Sequence, residues 1–341
     1  MERKSAWAWV VAGLVVLAVL PWLLGAYPTY IVALAGVYTV AAIGLNLLTG
    51  YAGQMSLGHA GFIAIGAYTS ALLTIKLGWS FWLALPAAGV VTGILGLILV
   101  IPALRLSGLY LAIATLGFGA AVPQLLVKWD ALSGGYNGLK PPRPELFGWL
   151  FESDRALYYL VMAVTITMTW LALNLIKSRT GRALVAVRDS EIAAQAMGIS
   201  MVRYKSIAFV VSSFYAGVAG SLYAHLVGFI SPSDFSLVMS INLLSVIVIG
   251  GLASIPGSVL GALFLVLLPQ ALAGVKNLSS AVYGLALVAV VIFLPGGLWG
   301  WWLTARAAWA GRGAGRRAGT AAAAAGSAAG SGVRARESGG R

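Results

Sequence analysis

The feature that most constrains the fold is the length of the uncharged stretches. Ser5 to Ile75 is 71 residues without Asp, Glu, Lys or Arg, and Phe235 to Val275 is 41 more. A membrane-crossing helix needs about 20 predominantly apolar residues, so the first run has room for three helices and the second for two. Only 9% of the 341 residues are charged, against about 25% in a soluble domain. Strands of a membrane barrel would alternate apolar and polar side chains over about ten residues, and no stretch does so. The fold class is an all-α polytopic membrane protein.

Turn residues and charges divide the chain. A first helix takes Ser5 to Leu24, longer than the apolar core of a cleaved signal peptide. Gly25-Ala26-Tyr27-Pro28 turns the chain into a second over Thr29 to Leu48. Gln54 to Ile75 is less apolar, with Gln54, Ser56, His59, Tyr68, Thr69 and Ser70, and its helical spacing puts Gln54, Gly58, Gly61 and Ile65 on one face. Further helices are predicted within Leu77 to Leu104, where Pro86 and Pro102 mark a kink and an end. Others follow over Leu106 to Val127, Ala156 to Ile176 and Ser206 to Gly228. The run 235–275 splits at Gly250-Gly251 and Pro256-Gly257 into two apolar pieces, which either both cross or dip in and return. A last helix covers Ser279 to Trp302, whose tryptophans form an interfacial belt. The total is ten helices, the preferred reading, or eight if 235–275 is re-entrant. Residues 1–305 form the transmembrane domain. The Arg, Gly and Ala-rich segment 306–341 reads as a disordered cytoplasmic tail.

The net charge of +13 suggests nucleic acid until the charges are placed. With the N-terminus inside and every segment crossing, the loop 177–205 and the tail lie inside and the loop 128–155 outside. The inside then carries +12, chiefly +4 from 177–205 and +6 from the tail, and the outside +1. This is the positive-inside pattern, and no nucleic-acid partner is needed. The bookkeeping also requires Gln54 to Ile75 to cross, despite its polarity.

Enzyme chemistry finds no footing. None of the nine acids falls within a predicted membrane helix, and no metal-spaced cluster, catalytic triad or phosphate loop of the GxxxxGK[ST] type can be assembled. No metal site or cofactor is expected. An ion-coupled carrier keeps ionisable groups in the bilayer, and only His59 and His225 qualify. Gly53 to Phe62 is the densest polar and small-residue stretch there. Gln54, Ser56, Gly58 and His59 either line a pathway or pack helices together. Gly89-x-x-x-Gly93 and Gly257-x-x-x-Gly261 read as packing.

The charged island 177–205 holds a candidate short amphipathic helix, capped by Asp189-Ser190-Glu191 and stopped by Gly198. On composition alone it either rests on lipid or docks a partner. Its segment Glu191-x-Ala193-Ala194-x-x-x-Gly198 resembles the EAA loop of ABC importer permeases, with one residue inserted after Glu191. Leu45-Asn-Leu-Leu-Thr-Gly-Tyr-Ala-Gly-Gln-Met-Ser-Leu-Gly-His-Ala-Gly-Phe62, Leu106-Ser-Gly-Leu-Tyr110, Gly181-Arg-Ala-Leu184, Ile249-Gly-Gly251 with Pro256-Gly257, and Phe293-Leu-Pro-Gly-Gly297 are similar to the branched-chain amino-acid permease family, LivM-type. The similarity runs in order over about residues 30–300. Two positions depart: Ser133-Gly134-Gly135 stands where the family often has Thr-Gly-Gly, and Asn242 near where it commonly has an acid.

The resemblance implies a type II ABC importer architecture with ten helices per subunit in two pseudo-symmetric halves, in a bacterial inner membrane with both termini cytoplasmic. It implies a second permease subunit, two ABC ATPase subunits and an extracytoplasmic substrate-binding protein. The ATPases would couple at Glu191, Ala193, Ala194 and Gly198. Pathway candidates are Gln54, Ser56, Gly58, His59 and Asn242. Branched-chain amino acids are the implied cargo, with urea, amides or other amino acids, or a stand-alone channel or carrier, as alternatives.

Overall fold

The structure is a computed structural model that describes residues 13, 15–106, 108–146, 149–151, 153–271, 284, 285, 288, 292, 293, 296–304 and 306. The expected first helix is described only in part, with 15–23 helical. Half of the expected last helix Ser279 to Trp302, and the tail beyond residue 306, lie outside the described residues.

Each apolar run becomes a helix because hydrocarbon offers a backbone N–H or C=O no partner outside the segment itself. The helices are α1 (Ala26–Asn46), continued by a π-turn over Leu47–Tyr51; α2 (His59–Lys76); α3 (Phe81–Ala103); α4 (Leu109–Lys128); and α5 (Asp154–Lys177). Two short helices, α6 (Arg179–Asp189) and α7 (Glu191–Ala196), occupy the charged island. Then come α8 (Met201–Val227), α9 (Leu237–Gly250) and α10 (Ile255–Ala271). Among the described residues five spans are long and apolar enough to cross a membrane: Ala26–Tyr51, Phe81–Ile101, Leu109–Lys128, Asp154–Lys177 and Met201–Val227. Loop 128–155 adds a small antiparallel ribbon in which Glu145–Leu146 pairs with Trp149–Leu150.

The core is built around α8, which packs on α3, α2 and α1, while α5 and α10 pack on the other side of α1. Small residues permit this. A Cβ on Gly66 of α2 would overlap the backbone of Gly217 in α8, so the two helices meet backbone to backbone. Both GxxxG patterns also serve packing: Gly89 faces the Phe214 ring, and Gly257 and Gly261 face the backbone of Gly250 and Val246.

Contacts sort the connections into two ends. At one, Lys76 Nζ donates to Ala131 O (2.8 Å), Trp82 Nε1 to Glu145 O (3.1 Å) and His225 Nδ1 to Pro142 O (2.9 Å). Leu139 bridges Ile230 there as well. At the other end lie the π-turn, α6, α7 and the 251–254 turn, joined through Arg188 and Asn46. Segment 54–75 therefore runs from one end to the other, as the charge balance requires.

One expectation is corrected. Gln54 and Gly58 do not share a helical face with Gly61 and Ile65, because α2 begins only at His59. The π-turn carries α1 on to Tyr51, Gly53 adopts a left-handed φ of +68°, and Gln54 N–H closes on Leu48 O at 3.0 Å. Residues 53–58 thus run without regular structure.

A substitution at the α2–α8 contact tests the packing. Gly66→Val should lower stability by about 1–3 kcal/mol, the usual cost of overpacking. Gly117→Val, where nothing lies within 4 Å, should leave it near wild type. Thermal unfolding of the two purified variants checks this, and equal midpoints would contradict the close contact.

Candidate functional site

The charged island folds into a platform because serines stop and restart its helices. Ser178, Ser190 and Ser200 are the N-caps of α6, α7 and α8, and accept from the N–H of Gly181 (3.3 Å), Ala193 (3.3 Å) and Arg203 (3.4 Å). Each such cap is worth about 1 kcal/mol. α6 seats itself through Leu184, buried with Leu48, Ala52, Val100, Ala103, Leu111 and Phe209. The sequence reading placed one helix here, and α6 is a second that it did not separate. The signal was Gly181-Arg-Ala-Leu184 behind Ser178.

The candidate coupling residues divide by direction. Ala194 faces inward, 3% exposed. Glu191 Oε1 pairs with Lys205 Nζ at 2.8 Å, tying α7 back to the start of the second turn of α8. Gly198, with φ +79°, closes the helix while its N–H donates to Gln195 O and Ile199 N–H returns to Ala194 O (both 2.9 Å). Ala193 points outward with Ile192 and Met197, which are 84% and 82% exposed. The apolar side of α7 therefore faces away from the protein that holds it.

Arg188, read from sequence as an orientation charge, also makes a structural contact. Its Nη1 donates to Gly50 O at 3.1 Å, and its Nε and Nη2 clasp Asp189 Oδ1 at 2.9 and 2.8 Å. From Gly50 the contact passes to the 251–254 turn through Asn46. This fully buried amide donates to Ser258 Oγ (2.8 Å), Ser254 O (3.0 Å) and Gly251 O (3.3 Å), and accepts the N–H of Ala253 (2.9 Å). Ala253 sits at φ +55°, a conformation costly for a residue with a Cβ. A Cβ on Gly50 would overlap both Asn46 Oδ1 and Ala253 N, so a glycine is required there. Asn46 was missed in the sequence, although a single amide inside Leu45-Asn46-Leu47 was the available signal.

The pathway candidates surround the break before α2. Gln54, Ser56 and His59 are buried, and Gln54 Oε1, Ser56 Oγ and His59 Nδ1 have no hydrogen-bond partner. His59 Nε2 lies 3.1 Å from Ala41 O; since a carbonyl only accepts, Nε2 carries the proton and Nδ1 is a bare acceptor. Two hydroxyls meet backbone groups at the break: Leu57 N–H donates to Thr115 Oγ1 and Ala60 N–H to Ser240 Oγ, both at 3.0 Å. Gly58 is a packing residue: a Cβ there would overlap Thr115 O and crowd Gly119 N. Asn242 is half-buried on α9 and belongs to none of these bonds. His225 lies apart from His59. Its Nδ1 donates to Pro142 O, so Nε2 accepts from Ser70 Oγ (3.0 Å), which in turn accepts from Ser221 Oγ (2.8 Å). Among the described residues no group of His, Cys, Asp and Glu could hold a metal ion.

Residues 27–291 match the family described as branched-chain amino acid transport system / permease component. The chain is 36% identical to LivM, the high-affinity branched-chain amino acid transport system permease protein of Salmonella typhimurium, over 85% of this chain and 74% of that one. It is 27% identical to LivH, a permease protein of the same kind of system in that organism, over 69% of this chain and 81% of LivH. It is also 27% identical to LsrC of Escherichia coli, the autoinducer 2 import system permease protein, over 82% and 84% of the two chains. No solved structure matches. Fold, site and relatives together define a helical membrane permease, a transport component and not an enzyme. The chain belongs to the branched-chain amino-acid transport permease family.

The Asn46 contacts generate a prediction. Asn46→Ala takes the partner from the Ala253 N–H and the Gly251 carbonyl, at about 1–3 kcal/mol for each buried group. Hydrogen exchange over 251–258 should accelerate while protection in the centre of α8 persists. Unchanged exchange at the turn would show that Asn46 does not hold it.

Proposed function

We propose that this chain is one of two permease subunits of an ATP-driven importer of branched-chain amino acids, with the 177–205 loop as the dock for its ATPase subunits. One observation carries the coupling role: α7 is braced from behind by Ala194 and the Glu191–Lys205 pair, yet presents Ile192 and Met197 almost fully exposed. A short helix offering apolar anchors from a fixed mount suits a groove on a partner protein. In this reading Ala193, Ile192 and Met197 touch the ATPase, Glu191 fixes the mount, and Gly198 lets the chain turn into α8.

Two routes lead inward from the dock. Lys205 passes a displacement to α8, and Arg188 passes it through Gly50 and Asn46 to the 251–254 turn. Both reach the elements around residues 53–58. Buried polar atoms without partners are costly, and Gln54, Ser56 and His59 concentrate them at the one irregular stretch beside α2. We assign these three to the pathway for a polar, zwitterionic cargo, and Gly58 to packing. Asn242, half-buried, is a weaker candidate.

The contacts at the two ends support ten crossings. α9 starts after Ile230, at the 128–155 end, and its following turn meets Asn46 at the opposite end, which favours two crossings over re-entry. The two most buried spans, 83% for Ala26–Tyr51 and 72% for Met201–Val227, would be the second helix of each half. That supports two pseudo-symmetric halves. The positive-inside rule makes the 177–205 end cytoplasmic in a bacterial inner membrane, with both termini on that side. The 128–155 face then receives the binding protein. Residues 1–305 would form the permease domain and 306–341 a cytoplasmic tail.

Ile192→Asp with Met197→Asp places two charges in the proposed apolar interface. ATP-driven leucine uptake into vesicles holding the full complex should fall at least about tenfold, the effect of roughly 1.4 kcal/mol or more. Both side chains are exposed, so the variant should remain monodisperse, and unchanged uptake would overturn the coupling role. Competition by valine and isoleucine, but not by urea or autoinducer 2, checks the cargo.

A further inference from the structure

Two cavities meet on the outside of the helix bundle. One is a groove of about 640 Å3 between α1, α5 and α10, lined by Val32 and Ala35, Met162 and Ile166, and Val259 and Leu263. The other, about 410 Å3, lies at the 177–205 end, beside the 251–256 backbone, Tyr51 and Trp299. Leu173 and Lys177 line both, so the two adjoin. Along α5 the groove runs from Met162 to Lys177, about 22 Å at 1.5 Å per residue. One leaflet's hydrocarbon is about 15 Å deep, so the groove holds a chain inserted from the leaflet at that end. Its flanks, Ile166 and Trp170, are 39% and 60% exposed; in a bilayer the groove opens onto acyl chains.

What distinguishes this groove from any lipid-wetted surface is the charge at its mouth. Lys177 is exposed, and no ion pair of its ammonium occurs among the described residues. Arg182 Nη1 donates to Lys177 O at 3.0 Å, which brings a second cation beside the first. The carboxylates of this region are engaged elsewhere, Asp189 by Arg188 and Glu191 by Lys205, and none lines either cavity. Cations at the membrane surface with no carboxylate beside them attract anionic headgroups, about 1 kcal/mol for each Lys or Arg.

We propose that this pair of adjoining cavities is a binding site for one anionic phospholipid, with an acyl chain between α1, α5 and α10 and the headgroup phosphate at Lys177 and Arg182. The assignment does not depend on the cargo or on which leaflet is cytoplasmic. The lipid bridges α5 to the 251–256 turn, so its occupancy stabilises the turn that Asn46 holds from the other side.

The test uses the full chain in detergent, equilibrated with equal amounts of phosphatidylglycerol and phosphatidylethanolamine and read by native mass spectrometry. The wild type should retain phosphatidylglycerol preferentially. Lys177→Gln, at an exposed site, should lower that retention by about fivefold and leave phosphatidylethanolamine unchanged. Leu263→Trp, which fills the groove, should lower both, and Val259→Phe serves the same purpose should the tryptophan unfold the protein. Equal retention of the two lipids by the wild type, or undiminished phosphatidylglycerol on Lys177→Gln, overturns the proposal. So does a photo-crosslinker at position 263 that captures the second permease in the assembled complex instead of lipid.

Discussion

Every backbone group released from a helix inside hydrocarbon must be met by the protein itself, and this requirement governs the region between α1 and α2. Two breaks in regular geometry at the 177–205 end are linked, the stretch from the π-turn to Gly58 and the 251–254 turn. In both places side chains supply the missing partners. Asn46 serves the 251–254 turn with donor and acceptor together, Arg188 takes the Gly50 carbonyl, and Thr49 Oγ1 takes the Gln54 carbonyl at 3.1 Å. Deeper in, Thr115 and Ser240 meet the amides at the start of α2. The break in the helix is thus a built feature, with polar residues stationed for it on α1, α4, α6 and α9.

The charged island is tied to that feature by only a few bonds. α7 rests on one buried alanine and one ion pair, and α6 reaches the π-turn through the Arg188 guanidinium and the packing of Leu184 on Leu48. A mount of this kind holds α7 in place and leaves its apolar side chains uncovered. The core behind it meets backbone to backbone, as at Gly66 and Gly217, and has little slack.

Much of the fold was legible because apolar length and charge position are properties of the sequence alone. The boundaries of α1, α5 and α8 fell within a few residues of the apolar runs, and the requirement that Gln54 to Ile75 reach the far end followed from counting charges. The helix start at His59 was not legible. Helical periodicity continued through Gln54, Gly58 and Gly61, and only contact with Thr115 and Gly119, far along the chain, shows why the helix waits. The sequence singles out Glu191, yet its partner Lys205 could not be named from spacing, since a turn of unknown course separates them. Asn46 was hidden by its neighbours: one amide among leucines resembles a packing residue until the 251–254 turn is placed against it.

The π-turn at Leu47–Tyr51 has a consequence for how this chain tolerates change. Such a turn holds one residue more than an α-helical turn, so it acts as a store of slack in an otherwise fixed ladder. Losing a residue there would restore ordinary helix and swing the downstream chain by about 100°, carrying the Gly50 carbonyl away from Arg188. The count of residues between Asn46 and Gly53 is therefore as much a part of the design as their identity, and a single-residue deletion in this stretch would be harder to accommodate than most substitutions.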